Sequence, residues 1–139
     1  MLPMLPITYL KIMNKEKRGT RQRIYTYTRV RVQVPSATAI GNKEKMMREK
    51  TIESKLVKAV KNMGGLAPKF VSPGFDGVPD RIVLLPYGKI AFVELKAEGE
   101  TLRPLQVRRK RQLESLGFSV YCVDAVEQIG GILDEIQSS

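Results

Sequence analysis

The chain has 139 residues, 42% of them hydrophobic and 27% charged, and these values suit one globular domain with a modest extension. It contains one cysteine and no histidine, which excludes an internal disulfide, a thiolate zinc cluster and any catalysis that depends on an imidazole. The formal net charge of +10 suits a polyanionic partner, nucleic acid ahead of a membrane surface, although surplus lysine for solubility explains the charge equally well. Because imidazole is absent, any hydrolysis must be catalysed by carboxylates and lysine, and a hard metal ion is the expected cofactor.

No segment has the pattern of a membrane span or a signal peptide. Residues 1–10 are apolar, but two prolines interrupt them, and they lack a basic leading region and a small-residue cleavage site. No apolar run approaches the roughly 18 residues that cross a bilayer. We therefore expect a cytoplasmic protein with no membrane partner.

The first 46 residues form a basic extension. Residues 1–44 contain nine lysines or arginines and two acids, so they hold seven of the ten net positive charges. Residues 23–33 alternate between β-branched side chains and mostly arginine or tyrosine, which predicts a strand. Two interpretations stay open: a basic, aromatic-faced arm that binds nucleic acid by charge and stacking, or a non-native portion upstream of a start at Met46 or Met47.

Residues 47–139 have the periodicity of an α/β domain. Over residues 49–63, apolar side chains recur at helical spacing and two glycines then end the pattern, which predicts an amphipathic helix. Residues 66–71 have the composition of a strand, and residues 72–79 are dense in turn formers. A helix, a strand and a loop therefore open this domain.

A hairpin is the clearest pattern after this loop. Residues 81–86 and 89–96 are rich in β-branched and aromatic side chains and flank a turn centred on Tyr87 and Gly88. Three more elements follow: a helix starting near Pro104, a strand over residues 118–123, and a helix starting near Asp124. The order α-β-β-β-α-β-α, with a hairpin and a helical crossover, predicts a mixed central sheet flanked by helices.

Two charged side chains, Glu94 and Lys96, lie on the second strand of the hairpin, within a run expected to be covered on both faces. Two residues apart on a strand, they project from the same face. Because an unpaired charge is costly to bury, they must be paired or must line a cleft. Glu-x-Lys alone is a weak signal, since Glu53 and Lys55 form a second match with an ordinary explanation as an exposed helix surface.

Asp80 is the second acid of the hairpin. With a two-residue turn, Asp80 is expected opposite Leu95, one residue out of register with Glu94, and a small bulge would align the two acids. Two carboxylates brought together repel unless a cation lies between them, and an all-oxygen site suits Mg²⁺ or Mn²⁺. The alternative is turn chemistry, with Asp80 paired to Arg81.

Three further side chains are candidates for the same site. Lys96 would lie beside the metal, where it can hold the attacking water or stabilise the charge of a phosphorane. Glu53 would belong to the site if the first helix packs on the sheet. Gln106, in the first turn of the next helix, can orient a phosphate or support Lys96. For Glu53 and Gln106, the ordinary alternative is an exposed helix surface.

A basic run follows Gln106 on the same predicted helix and consists of Arg108, Arg109, Lys110 and Arg111. Such a run is usually a solvated face. Beside a site that handles phosphate, it can also follow the backbone of DNA.

Four short elements occur in a fixed order: Glu53, Gly-Val-Pro-Asp ending at Asp80, Val-Glu-Leu-Lys ending at Lys96, and Leu-Arg-Pro-Leu-Gln ending at Gln106. Together they resemble the VRR-NUC (virus-type replication-repair nuclease) family of the PD-(D/E)XK nuclease superfamily. That superfamily has an α-β-β-β-α-β core, which matches the predicted order. The resemblance covers roughly residues 47–126, and it implies that residues 47–139 form a nuclease domain with a C-terminal helix added to the core.

The resemblance implies a DNA endonuclease that hydrolyses phosphodiester bonds with Mg²⁺ or Mn²⁺. The implied metal ligands are Asp80, Glu94, Glu53 and the backbone carbonyl of Leu95, and the implied catalytic residues are Lys96, Glu94, Asp80 and Gln106. Compact phage and bacterial members resemble structure-selective nucleases that act as homodimers on branched DNA, four-way junctions included. We therefore expect a homodimer that places two nicks without reading sequence.

Two other classes compete with a nuclease. A non-catalytic basic protein that binds nucleic acid would show salt-sensitive binding and no turnover with any divalent ion. An adaptor with a decayed nuclease fold is disfavoured, because every carboxylate and the lysine of the motif are present.

Overall fold

The computed structural model describes residues 7–16 and 24–139. These residues form two compact units, the first ending at Lys43 and the second spanning Glu44–Ser139. In chain order the elements are β1 (Ile7–Glu16), β2 (Ile24–Gln33), α1 (Ala37–Asn62), β3 (Arg81–Leu85), β4 (Lys89–Leu95), α2 (Pro104–Ser115), β5 (Ser119–Val123) and α3 (Gln128–Ser138).

The first unit contains the antiparallel pair β1 and β2, in a register that runs from Ile7 opposite Gln33 to Glu16 opposite Ile24. The strand predicted from the alternation of β-branched residues is confirmed as β2, and its partner β1 was not predicted. Arg23, which the prediction included, lies outside the described residues, and so do the side chains of the tyrosines in β2. The two interpretations of this extension stay predictions.

Helix α1 begins at Ala37, well before the predicted start at residue 49. Ser36 caps it, because its Oγ accepts a hydrogen bond from the backbone N–H of Ala39 at 3.1 Å. The first turns of α1 are largely exposed and carry no apolar stripe, so hydrophobic periodicity could not detect them.

The second unit contains a mixed sheet in the order β3-β4-β5, with β3 antiparallel to β4 and β4 parallel to β5. Helix α2 provides the crossover, as predicted. The strand expected over residues 66–71 is instead an irregular edge segment that meets β3 through two isolated bridges, Leu66 with Leu84 and Lys69 with Arg81. Pro68 lies between these bridges, and it has no N–H to donate to a continuous ladder.

The hydrophobic core lies on one face of this sheet, between β3, β4 and β5 and the helices α1 and α3. Its largest fully buried side chains are Leu56, Val60, Val83, Val93, Val123 and Ile136. Because side chains alternate along a strand, Phe92 and Glu94 project from the opposite face. That face holds an aromatic cluster, in which the ring centroid of Phe92 lies 5.5 Å from that of Phe70 and 5.7 Å from that of Phe118. The same face also contacts α2, through the hydrogen bond between Gln106 and Glu94. Helices therefore flank both faces, as predicted.

Among the helices in the described part of the chain, none combines the length and the apolar composition needed to cross a membrane.

Candidate active site

The register of the β3–β4 hairpin places two acids opposite each other. Leu85 pairs with Lys89 and Arg81 pairs with Val93, so the same register, continued by one residue, sets Asp80 opposite Glu94. The expected pairing of Asp80 with Leu95 was wrong by one residue, and no bulge is needed to align the acids.

The turn explains this difference. Three residues, Pro86–Gly88, connect the strands in place of the predicted two. With a two-residue turn, Pro86 would stand in the ladder without an N–H to donate, whereas in the turn its restricted φ is suitable. Tyr87 and Gly88 then adopt φ values of 67° and 71°, which reverse the chain.

Asp80 is held against the end of β4. Its Oδ2 accepts a hydrogen bond from the backbone N–H of Leu95 at 2.8 Å, and its side chain keeps contact with solvent. In an antiparallel pair the N–H and C=O of one residue face the same neighbouring strand. The carbonyl of Leu95 therefore faces the side on which Asp80 lies.

Glu94 is buried and receives two donors on a single oxygen. The residue is 4% exposed, and its Oε1 lies 3.0 Å from Lys96 Nζ and 2.5 Å from Gln106 Nε2. Gln106 is itself oriented, because its Oε1 accepts the backbone N–H of Arg103 at 2.9 Å. Both contacts with Glu94, from Lys96 and from Gln106, involve its Oε1.

The pKa values of both acids are raised. Loss of solvation raises the pKa of Glu94, the hydrogen bond from Lys96 opposes this effect, and the negative charge of Asp80 raises the pKa again. The pKa of Asp80 is also raised by loss of solvation, against the lowering effects of the Leu95 N–H and the charge of Lys96. The charge of Asp80 makes Glu94 harder to ionise, and a cation beside the two carboxylates would offset this effect.

Glu53 forms an ion pair with Arg81. Its Oε1 lies 2.9 Å from Nε and 2.8 Å from Nη2 of that arginine, whose Nη1 donates to the carbonyl of Ala67 at 2.7 Å. Arg81 therefore pairs with Glu53 and not with Asp80, which was the alternative from turn chemistry. Glu53 still acts on the site, because its negative charge raises the pKa of Asp80.

Glu49 belongs to the same neighbourhood, and the sequence reasoning missed it. Its Oε1 accepts the backbone N–H of Ala97 at 3.2 Å, directly after Lys96, and its charge raises the pKa of both Asp80 and Glu94. A signal was present in the sequence. Glu49 precedes Glu53 by four residues, so the two side chains lie on one face of α1.

Within residues 7–16 and 24–139, no three His, Cys, Asp or Glu side chains group closely enough to form a metal site by themselves. A site in this chain would therefore combine two carboxylates with other oxygens. Mg²⁺ accepts such a set, because it usually keeps several water ligands and takes only one or two carboxylates from the protein.

Known proteins similar to this chain are nucleases by name. "Putative nuclease p44" of the Acyrthosiphon pisum secondary endosymbiont phage 1 is 48% identical over 92 residues, which are 66% of this chain and 98% of that protein. No family model matches the sequence. A solved structure of a VRR_NUC domain matches with a TM-score of 0.60 and 30% identity, over 63% of this chain and 95% of its own length.

This chain belongs to the VRR-NUC family of nucleases. The resemblance stated from Glu53, Asp80, Glu94–Lys96 and Gln106 is thereby confirmed, and so is the α/β fold expected from it.

The basic run of this VRR-NUC chain does not form one solvated face. Arg109 donates from Nε to the carbonyl of Asp76 at 2.7 Å, and Lys110 donates from Nζ to the carbonyl of Val120 at 2.9 Å. Arg108 and Arg111 are exposed. The prediction that all four bind DNA stays a prediction, but the structure separates two engaged side chains from two that face solvent.

Proposed function

We propose that this VRR-NUC nuclease is an endonuclease that hydrolyses DNA phosphodiester bonds with Mg²⁺ or Mn²⁺. One observation carries the proposal. The hairpin register sets Asp80 opposite Glu94, and the Lys96 ammonium forms an ion pair with Oε1 of Glu94. This arrangement brings a carboxylate pair and a cation together at one strand end, and it supports phosphoryl chemistry without a histidine.

The donor set fits a hard divalent cation. Asp80 and Glu94 offer carboxylate oxygens, and the Leu95 carbonyl faces the side of Asp80. The contacts of Glu94 with Lys96 and Gln106 both involve Oε1. A cation held here would polarise the scissile phosphate and lower the pKa of a bound water.

Lys96 is the proposed catalytic lysine. Its side chain is 10% exposed, and Glu94 Oε1 fixes the position of its ammonium. An ammonium held there can orient the attacking water and can stabilise the negative charge that develops on the phosphate. A positioned ammonium of this kind loses little freedom during the reaction, because the protein has already ordered it.

Two residues support this centre. Gln106 holds Glu94 from α2, and its own amide is fixed by the N–H of Arg103, so it sets the orientation of the carboxylate. Glu53 is proposed to associate with the metal through water, because Arg81 already engages its Oε1.

The proposed substrate is branched DNA, four-way junctions included, and the proposed active form is a homodimer. Both follow from the family resemblance, and the cytoplasmic location is likewise a prediction. Exposed Arg108 and Arg111, three residues apart on α2, are suited to contact phosphates without reading bases.

A cleavage assay tests the proposal. Linear, flapped and four-way-junction DNA are incubated with the full chain in Mg²⁺, Mn²⁺ or EDTA, and with the variants Asp80→Asn and Lys96→Ala. We expect cleavage only with a divalent ion, its loss in both variants, and DNA binding that survives. The exposed Asp134 provides the control Asp134→Asn, which should cleave normally. Binding without turnover under every condition would favour a non-catalytic nucleic-acid-binding protein instead.

A further inference from the structure

The loop over residues 72–79 leads directly into Asp80 and packs against α2. At Gly77, φ is +80° and a Cβ atom would lie 2.7 Å from Cγ of Leu105, so the loop and the helix are in close contact there. Pro79, directly before the acid, is buried. The position of Asp80 is therefore linked to how firmly the loop is held.

Arg109 provides a second attachment, one helical turn after Leu105. Its guanidinium lies 3.9 Å from the centroid of the Phe75 ring, and its Nε donates to the carbonyl of Asp76 at 2.7 Å. Its Nη1 donates to Gln112 Oε1 at 2.8 Å, on its own helix. One side chain thus joins the loop to α2 through both a ring face and a backbone carbonyl.

Arg109 directs two of its five guanidinium N–H groups and one face of the guanidinium to partners within the protein, which restricts its approach to a phosphate. Its neighbour provides the contrast, because Arg108 is exposed and its side chain makes no hydrogen bond or ion pair with the described part of the chain. Two adjacent arginines of the same basic run therefore have different surroundings.

We propose that Arg109 is a positioning residue for Asp80 and not a DNA contact: it fastens the loop over residues 72–79 to α2 and so holds the carboxylate opposite Glu94. This inference rests on the proposed function, in which Asp80 is a metal ligand. Small displacements of such a ligand reduce the rate strongly, because catalysis depends on exact placement.

Hydrogen exchange tests the attachment without any assay of activity. In the folded full chain, Arg109→Ala should increase amide exchange over residues 74–80 and leave exchange in β4 and α3 unchanged. Phe75→Leu, which removes the ring and keeps an apolar side chain, should act in the same direction and more weakly. It also replaces the first variant if Arg109→Ala fails to fold. Unchanged exchange in the loop would overturn the proposal.

Kinetics separate positioning from DNA binding. Arg109→Ala should lower kcat about tenfold or more and raise the Mg²⁺ concentration for half-maximal cleavage. Its DNA affinity should stay within about twofold of wild type, with the same salt dependence. Arg108→Ala should show the reverse, with weaker binding and a log–log salt slope reduced by about one. Lys58→Ala, an exposed charge on α1, should match wild type in both assays.

Two results would overturn the assignment: normal kcat in Arg109→Ala, or a loss of DNA affinity equal to that of Arg108→Ala. Absence of any cleavage by the wild-type chain is a different failure. It would refute the proposed function, while the exchange experiment would still decide whether Arg109 holds the segment that carries Asp80.

Discussion

Lys96 and Glu94 form an ion pair inside the protein, with Nζ 3.0 Å from Oε1 and side chains only 10% and 5% exposed. Buried charges of this kind are tolerated because each satisfies the other. Gln106 adds a second donor to the same carboxylate oxygen. The pair therefore connects the stability of the sheet to the chemistry proposed for it, and its disruption should be visible in both.

Lys96→Met should lower the free energy of unfolding by about 1–3 kcal/mol, because it leaves the Glu94 carboxylate buried without its cation. The double variant Glu94→Gln/Lys96→Met should recover part of this loss, since it removes both charges. Urea denaturation of the single and double variants measures the coupling. Strictly additive losses would show that the pair contributes nothing beyond its separate side chains.

The raised pKa values of Asp80 and Glu94 predict how stability depends on pH without metal. Their ordinary pKa values are 3.8 and 4.5, and the folded values lie above these. At pH values between the ordinary and the folded pKa values, the folded protein binds more protons than the unfolded chain. The free energy of unfolding therefore falls as pH rises through this range. Above the folded pKa values the loss is complete.

Asp80→Asn checks this sign. Asn can still accept the N–H of Leu95, and the substitution removes one of two repelling charges. Without metal, the variant should have a higher Tm than wild type at neutral pH and a flatter pH dependence. Mg²⁺ should raise the Tm of wild type more than that of the variant. A lower metal-free Tm in Asp80→Asn would contradict the prediction.

Glu49 should affect the acid limb of the pH–activity profile. Glu49→Gln keeps an oxygen for the N–H of Ala97 but removes a charge that raises the pKa of Asp80 and Glu94. The acid limb should therefore move to lower pH, and the free energy of unfolding should not fall. Glu49→Ala also loses the hydrogen bond and should cost about 1 kcal/mol. Glu44→Gln, an exposed acid on the same helix, serves as the control and should leave the profile in place.

The hairpin turn offers a test that is independent of catalysis. Tyr87 is 98% exposed with φ of 67°, so Tyr87→Gly removes backbone strain without losing packing and should stabilise the fold by about 0.5–1 kcal/mol. Gly88→Ala should destabilise the fold by about 1 kcal/mol, because alanine is strained at the positive φ of this position. A steric clash makes no contribution, since a Cβ atom at Gly88 would contact no other atom. Cleavage should not change in Tyr87→Gly, since the turn lies at the opposite end of the hairpin from Asp80. Destabilisation by Tyr87→Gly would show that the turn differs from the one described.

The order of elements in the second unit could be predicted because it depends on local properties. Periodicity identified α2, α3 and the hairpin, and the hairpin with a helical crossover indicated the mixed sheet. The irregular segment at Leu66–Lys69 could not be distinguished from a strand by composition, since only its pairing with β3 reveals the interruption at Pro68.

The sequence by itself determined which chemical groups this protein has: two acids and an amine on one hairpin, a glutamine at the start of a helix, and no histidine. Only the tertiary structure decided their partners, such as Asp80 opposite Glu94, Glu53 with Arg81, and Arg109 with the loop that carries Asp80. The reason is physical. Residue type and spacing set which face of an element a side chain occupies, whereas contacts between distant segments depend on the register and packing of the whole core.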